Sequence, residues 1–330
     1  MKKYLVTGGA GFIGANLVRR LVQQQVDVHI FATEQESLWR LHGIEEYVTV
    51  HRVDLCDYKK VQQLIEQTCP TTIFHLASYG GMPDQLDQKA IFDVNFFGTV
   101  NLFNACKNFG FDCFVNTGSS SEYGMKQGPM CEDDVLEPVS DYAVAKAAAT
   151  QFCLKEALKE KLPVYTIRPF SVYGPYEMKT RLIPTVLLGA LEQKELHLSS
   201  PGCVRDFVYV DDVVDMYMMV AQQKPRSEFI FNAGSGRELS VGDVVTTVQD
   251  IIQKTCLVAW GRHQKRPWEP EHWVASVERA HSVLGWRPRY TLAQGLHTSL
   301  IWFEHNRHLY EGRQLHVPHT EERHYNPIAR

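Results

Sequence analysis

The chain has 330 residues, 44% of them apolar and 22% charged, with a formal net charge of −4. That balance belongs to a globular protein with one large core or two small ones, and it offers no basic face for nucleic acid. No segment approaches the ~18 apolar residues of a membrane span, and the apolar run behind Met1-Lys2-Lys3 is too short for a secretion signal. The eight cysteines form no C-x-x-C pair and the fourteen histidines no H-x-x-x-H pattern. Reduced thiols, a cytoplasmic location, no metal site, no membrane and no nucleic-acid partner are therefore expected.

Tyr4-Leu5-Val6 lies at the heart of a first strand over 3–7. It runs into Thr7-Gly8-Gly9-Ala10-Gly11-Phe12-Ile13-Gly14, after which helical periodicity spans 14–23. Glycines at 8, 11 and 14 let the backbone turn sharply, approach a pyrophosphate and pack a helix against a sheet. The helix then aims its free N–H groups at the phosphates. Strands at 27–31, 47–51, 72–76, 112–117 and 163–168 alternate with helices at 57–67, 88–108 and 142–160. This rhythm predicts an α/β protein with a doubly wound, mostly parallel sheet covered on both faces. Segment 72–76 is apolar nearly throughout, as a strand buried on both faces should be.

After Arg168-Pro169 the rhythm breaks, and helical runs follow at 180–192, 240–254 and 291–305. One apolar run, Glu228-Phe229-Ile230-Phe231-Asn232, still fits a strand of the main sheet. The organisation expected is a dinucleotide-binding domain from 1–170 and 206–233, and a smaller discontinuous substrate domain from 171–205 and 234–312. A loosely held tail would cover 313–330.

Tyr142 and Lys146 stand four apart on a predicted helix, one turn apart on the same face. An ammonium beside a phenol favours the phenolate and lowers the tyrosine pKa, so Tyr142 is a candidate general acid or base for a sugar hydroxyl. Ser119, Ser120 and Ser121 follow strand 112–117, at a strand end where a substrate sits in an open α/β sheet. Ser119 or Ser120 is placed to hold the oxygen that Tyr142 titrates.

With these positions the chain resembles the extended short-chain dehydrogenase/reductases of the NAD(P)-dependent nucleotide-sugar epimerase/dehydratase family. The resemblance rests on Thr7–Gly14, Asp54-Leu55, His75-Leu76-Ala77, Asn95 with Gly98-Thr99, Ser119 to Gly124, and Tyr142 with Lys146. It continues through Arg168-Pro169, Val172-Tyr173-Gly174-Pro175, Arg205-Asp206-Phe207-Val208-Tyr209-Val210-Asp211-Asp212 and Leu284-Gly285-Trp286-Arg287-Pro288. The family implies a Rossmann-type fold, a nicotinamide cofactor, a nucleoside-diphosphate sugar and redox chemistry at the sugar's carbon 4. It also implies a homodimer formed through the helices carrying residues 88–108 and 142–160. Gly8, Gly11, Phe12, Ile13, Gly14, Thr33, Asp54, Leu55, Leu76, Ala77, Tyr142 and Lys146 are the implied cofactor contacts, with Asp54 accepting from the adenine amino group. His75 fits a satisfied core histidine. Tyr79, Gly80 and Gly81 form a loop facing the sugar.

Three departures bear on the chemistry. The aspartate that ends the second strand in NAD-binding members is replaced by Ala32, followed by Thr33. Without that carboxylate, Ser37 and Arg40 are placed to bind a 2′-phosphate, so NAD and NADP both stand; Arg40 alternatively is a solvated helix residue. The dehydratases carry two acids in the loop ending in Tyr-Gly, where this chain has Ser119, Ser120 and Ser121. Glu122 falls one position late, so dehydration is disfavoured, and Ser-Ser-x-Glu-Tyr-Gly is similar to 4-keto-6-deoxy sugar reductases. Ser121 and Glu122 remain candidates for the sugar side. The asparagine usual before Val-Tyr-Gly is Ser171, leaving one substrate contact open. Arg205 and Arg266, with Arg181 as a third, are candidates for the substrate diphosphate, because a guanidinium fork matches phosphate oxygens.

The leading expectation is a 4-keto-sugar reductase that takes its cofactor from solution. A 4-epimerase with retained NAD is the alternative, and a 4,6-dehydratase ranks below both. A non-catalytic dinucleotide sensor on the same fold is disfavoured by the presence of Tyr142, Lys146 and the arginines.

Overall fold

The structure, a computed structural model, describes residues 2–82, 84–224, 227–261 and 272–310. The chain opens with β1 (Lys3–Thr7), α1 (Phe12–Gln23), β2 (Asp27–Ala32), β3 (Val48–Arg52), α2 (Tyr58–Thr68) and β4 (Thr72–His75). Then come α3 (Gln88–Phe92), α4 (Gly98–Phe109), β5 (Cys113–Thr117), α5 (Asp141–Glu160) and β6 (Val164–Pro169). The second half holds β7 (Ser171–Tyr173), α6 (Leu182–Glu192), β8 (Leu196–His197), β9 (Val204–Arg205), β10 (Phe207–Tyr209) and α7 (Val210–Gln223). It ends with β11 (Ile230–Ala233), β12 (Leu239–Ser240), α8 (Val241–Ile252), β13 (Val258–Ala259), α9 (Glu278–Leu284) and α10 (Leu292–His305).

Seven strands form one parallel sheet in the order β11-β6-β5-β4-β1-β2-β3. The order reverses between β1 and β4, and the strand ends there meet a crevice of the kind that takes ligands in open α/β sheets. One sheet face is packed by Leu17, Val18 and Leu21 of α1 and by Val213, Tyr217 and Val220 of α7. The other is packed by Val61 and Ile65 of α2, Leu102 and Phe103 of α4, and Cys153 and Ala157 of α5. All four residues of β4 are buried, as its apolar sequence predicts. A second core gathers Ile183, Val186 and Leu187 of α6, Val244 and Val248 of α8, and Leu296 and Phe303 of α10 around Tyr173 and Tyr209. No helix among the described residues is long and apolar enough to cross a membrane.

Beyond short strands and the helix α9, two larger differences from the sequence expectation stand out. The single helix expected over 88–108 is broken by a π-helical turn, Asp93–Phe97, between α3 and α4. The turn frees Asn95 to face inward. Its Nδ2 donates to the carbonyls of Tyr79 (2.6 Å) and Ile91 (2.8 Å), and its Oδ1 accepts from Tyr79 N (3.3 Å). This is the usual price of a π-turn near a functional site, a wider helix that re-aims one side chain. Helix α7 was not expected as an element. Val210, Val213, Val214, Met216, Tyr217, Met218 and Val220 are all buried in it, so its apolar positions run round the helix and blur the 3.6-residue period.

His75 ends β4 as a fully bonded core histidine. Its Nδ1 meets Thr7 Oγ1 at 2.7 Å and its Nε2 meets Thr99 Oγ1 at 2.8 Å. Burial, with the charge of Lys146 second, pushes its pKa from 6.5 down to about 3. Between these values the unfolded chain binds a proton that the folded protein refuses, so stability is full above pH 6.5 and is lost as pH falls toward 3. The slope is about 1.4 kcal/mol per pH unit from this group. Urea midpoints at about pH 7.5 and about pH 5 should show that loss, and His75→Gln should show a smaller one. Equal losses in both proteins would assign the acid sensitivity elsewhere.

Candidate functional site

The glycine loop is wound too tightly for side chains. Gly8 has φ +65°, and a Cβ on it would lie 2.6 Å from Ala77 N. A Cβ on Gly14 would lie 2.1 Å from the Gly8 carbonyl oxygen. Gly11 N donates back to Gly8 O at 3.0 Å, and α1 then begins without any side-chain cap. Its first N–H groups are left for an anion, which fits a dinucleotide pyrophosphate. Phe12 and Ile13 open α1, half-buried against the core. Beside the loop, Leu76 N donates to Thr7 O at 3.1 Å and Ala77 N to Thr7 Oγ1 at 3.2 Å, fixing the neighbouring strand end. Leu55 is buried against Gly98, while Asp54 stays exposed with Oδ1 accepting from Cys56 N at 2.9 Å.

At the end of β2 Ala32 is buried and Thr33 exposed, with the Thr33 carbonyl held by Arg52 Nη1 at 2.5 Å. Arg40 makes contacts that the sequence does not show. Its Nε donates to Tyr176 O at 2.8 Å, its Nη1 to Ala10 O at 3.3 Å, and its guanidinium lies 4.5 Å over the Trp39 ring. The side chain ties the glycine loop to the segment after β7, with Nε and one Nη1 donor spent on carbonyls. Arg40→Ala is therefore expected to leave the preference between NAD and NADP unchanged. A selective loss of NADP affinity by about tenfold in competitive binding would restore the phosphate role.

The catalytic candidates converge at the end of β5. Ser119 caps a 3₁₀ turn, Ser120–Tyr123, with its hydroxyl accepting from Ser121 N at 3.1 Å and meeting Ser121 Oγ at 2.7 Å. On the facing helix α5, capped by Ser140, the Tyr142 phenol lies close enough to Ser119 for that hydroxyl to pull its pKa down. Of the two serine candidates Ser119 is thus the one that meets the phenol; Ser120 is buried beside it. The loop Tyr79-Gly80-Gly81 lies against the same ring, with a Cβ on Gly80 reaching 3.4 Å from Tyr142 Cδ2.

The electrostatics differ from the simple expectation. Burial pushes the Tyr142 phenol up to about 12, the Ser119 hydrogen bond and the Arg181 charge pull it down, and Glu122 pushes it up. Lys146 sits one turn deeper and donates from Nζ to the Thr117 carbonyl at 2.5 Å. Burial pushes that ammonium down to about 8. Its expected lowering of the Tyr142 pKa is thus absent here, because desolvation outweighs a charge already spent on a carbonyl.

Glu122 points inward, as its place one position late suggests, which corrects its candidacy as a sugar contact. It is completely buried, with Oε2 accepting from Arg168 Nε at 2.8 Å and Oε1 from Ser119 N at 2.8 Å. Ser171 opens β7, half-buried, its N–H on Asp206 O at 2.9 Å. Arg181 is exposed at the start of α6, 4.0 Å from Glu177 Oε1, and its charge reaches Tyr142. Arg205 is half-buried on β9, where Nη1 donates to Val204 O at 2.6 Å among its contacts. Arg266 and the 313–330 tail lie outside the described residues. Two buried charged residues near these candidates went unread in the sequence: Arg168, the partner of Glu122, and Glu177, which lies 4.0 Å from Arg181 and whose carboxyl burial pushes up to about 8. Only the motif Arg168-Pro169 hinted at the first.

A glycine-wrapped pyrophosphate cradle beside a serine–tyrosine–lysine group defines a dinucleotide-binding α/β enzyme site. The chain belongs to the NAD dependent epimerase/dehydratase family, which it matches over residues 4–234. It is 28% identical to dTDP-glucose 4,6-dehydratase 1 of Escherichia coli (strain K12), covering 92% of this chain and 93% of that one. It is 27% identical to UDP-glucuronate 4-epimerase of Thermodesulfobacterium geofontis, covering 93% and 97%. The solved UDP-glucuronic acid 4-epimerase of Bacillus cereus, in complex with UDP-glucuronic acid and NAD, superposes with a TM-score of 0.81 at 25% identity, over 92% of this chain and 99% of that one.

Proposed function

We propose that the protein is an NAD-dependent oxidoreductase acting at carbon 4 of a nucleoside-diphosphate hexose, in the form of a 4-keto-sugar reductase. The observation that carries the reading is the candidate catalytic turn itself: Ser119 beside Tyr142, with Glu122 turned inward onto Arg168 at 2.8 Å. No carboxylate in that turn faces the sugar to drive loss of water, so hydride chemistry at carbon 4 is what remains.

The glycine loop and α1 N-terminus would hold the cofactor pyrophosphate, Asp54, Leu55, Leu76 and Ala77 its adenine side, and Lys146 its nicotinamide ribose. When bound, NAD supplies the hydride acceptor and donor for carbon 4. Tyr142 gives its phenolic proton to the 4-oxygen during reduction and takes it back during oxidation, while Ser119 orients that oxygen. Tyr79 and Arg181 face the sugar, and Arg205 is the diphosphate candidate among the described residues. The same reading takes the protein as a homodimer. Phe97, 52% exposed in the π-turn, and Val144, 40% exposed on α5, support pairing through those helices.

A second reading, a 4-epimerase, is favoured by the likeness to 4-epimerases and by the commitment of Arg40 to carbonyls, which fits NAD better than NADP. Both readings share the site and differ in cofactor traffic. Denaturing the purified protein and identifying the released nucleotide separates them. An empty site that binds NADH supports the reductase, stoichiometric retained NAD supports the epimerase, and failure to bind either nucleotide overturns the proposal.

A further inference from the structure

Every contact of Glu122 leads back to the catalytic turn. Oε1 accepts from the Ser119 backbone N–H at 2.8 Å and from Thr150 Oγ1 of α5 at 3.0 Å. Oε2 accepts from Arg168 Nε at 2.8 Å, and the two side chains are 0% and 1% exposed. Arg168 is held in turn: Nη1 donates to Tyr123 Oη at 2.9 Å and to Glu132 O at 3.3 Å, and the guanidinium lies 4.6 Å from the Tyr123 ring centre. Tyr123 Oη donates to Asn232 Oδ1 of β11 at 2.7 Å. The backbone is moulded to the carboxylate, since a Cβ on Gly118 would lie 2.5 Å from Glu122 Oε1.

We infer that Glu122, locked by Arg168, is a positioning residue that fixes Ser119 against Tyr142. This rests on the catalytic roles proposed above for Ser119 and Tyr142. The Ser119 N–H and hydroxyl belong to one residue at the cap of a short 3₁₀ turn, so pinning the N–H fixes where the hydroxyl can point. The carboxylate reaches this position from the fourth residue of the cap, Ser119-Ser120-Ser121-Glu122, and closes a capping box. One position earlier it would face the sugar as an acid; here it has become the strut of the turn.

The charge of Glu122 acts on the phenol as well. The groups that face Tyr142 are Glu122, Arg181, Lys146 one turn along α5, the Ser119 hydroxyl and Tyr217 of α7. Glu122 pushes the phenol up, so removing its charge moves the pH limb set by Tyr142 to lower pH.

Removing one partner alone would strand a buried charge and unfold the site, so the test uses paired replacements. Glu122→Val with Arg168→Leu removes the acceptor for Ser119 N and both charges. Glu122→Gln with Arg168→Gln removes the charges and keeps an amide oxygen as acceptor. Folding is followed by near-ultraviolet circular dichroism and NAD affinity, and turnover is measured with UDP- and dTDP-4-keto-6-deoxyhexoses and NADH. The expected result is a fall in kcat of about tenfold or more in the apolar pair, with KM and NAD affinity within about twofold. The glutamine pair should recover most of that loss, and both pairs should shift the pH limb downward. An apolar pair that folds and keeps kcat within about twofold of wild type overturns the inference. A wild type that binds NADH yet reduces none of these 4-keto sugars contradicts the proposed function, and with it this role.

Discussion

Tyr142→Phe is expected to lower turnover by roughly 10²–10⁴ while NAD binding stays nearly intact. The phenolic oxygen is the atom that meets Ser119, and it alone can carry a proton between the protein and a sugar 4-oxygen. The ring packs against Gly80 and Gly81, and phenylalanine keeps that packing. In the protein without ligands burial holds the phenol near 12, so it rests as the proton donor that ketone reduction needs. Running the reaction toward oxidation needs the phenolate, and the cation of a bound oxidised nicotinamide would favour it. Single-turnover kinetics and cofactor titration of the variant decide the matter. Retention of more than about a tenth of wild-type turnover would remove Tyr142 from the chemistry.

The second large effect is expected at Asp206, which does no chemistry. It is 0% exposed, and its carboxylate accepts from Ser235 N (2.6 Å), Ser235 Oγ (2.6 Å), Gly236 N (3.0 Å) and Ala275 N (3.0 Å). One side chain thus fixes the turn after β11 and the chain that runs on to α9 beside the start of β10. Burial pushes the carboxyl pKa up and the four hydrogen bonds pull it down, so the group depends on all of them. Asp206→Ala strands the buried Ala275 N–H and leaves the part-buried N–H groups of Ser235 and Gly236 to water, a loss of about 3–4 kcal/mol in all. Asp206→Asn keeps one acceptor and should lose about half of that. Denaturant unfolding gives both numbers. A loss below about 1 kcal/mol in the alanine variant would mean that water replaces the carboxylate easily.

The sheet was legible because its strands are short apolar runs separated by glycine loops and amphipathic helices. Strand 3–7 and helix 14–23 fall on β1 and α1, and 72–76 falls on β4. The placing of Tyr142, Ser119 and the glycines near the ends of β1 and β5 was legible as well, because it follows from spacing along single elements. What stayed hidden depends on partners far away in the chain. Glu122 meets Arg168, 46 residues on, and Arg40 meets Tyr176, 136 residues on; the position of Glu122 in its loop says that it turns away, but no local pattern names either partner. The π-turn at Asp93–Phe97 was hidden for a similar reason, since Asn95 widens the helix to reach a loop carbonyl on Tyr79. The resting state of Tyr142 was misread because spacing shows a neighbouring charge but not the depth of burial.

The central claim is redox chemistry at carbon 4 without loss of water. The direct measurement is mass spectrometry of UDP- and dTDP-hexoses carrying deuterium at carbon 4, after incubation with the protein and NAD. The account predicts that deuterium leaves carbon 4, appears on the reduced cofactor or returns to the hexose, and that every hexose oxygen is retained. A product lighter by one water would contradict it, and would place an acid in the site that the buried Glu122 does not supply.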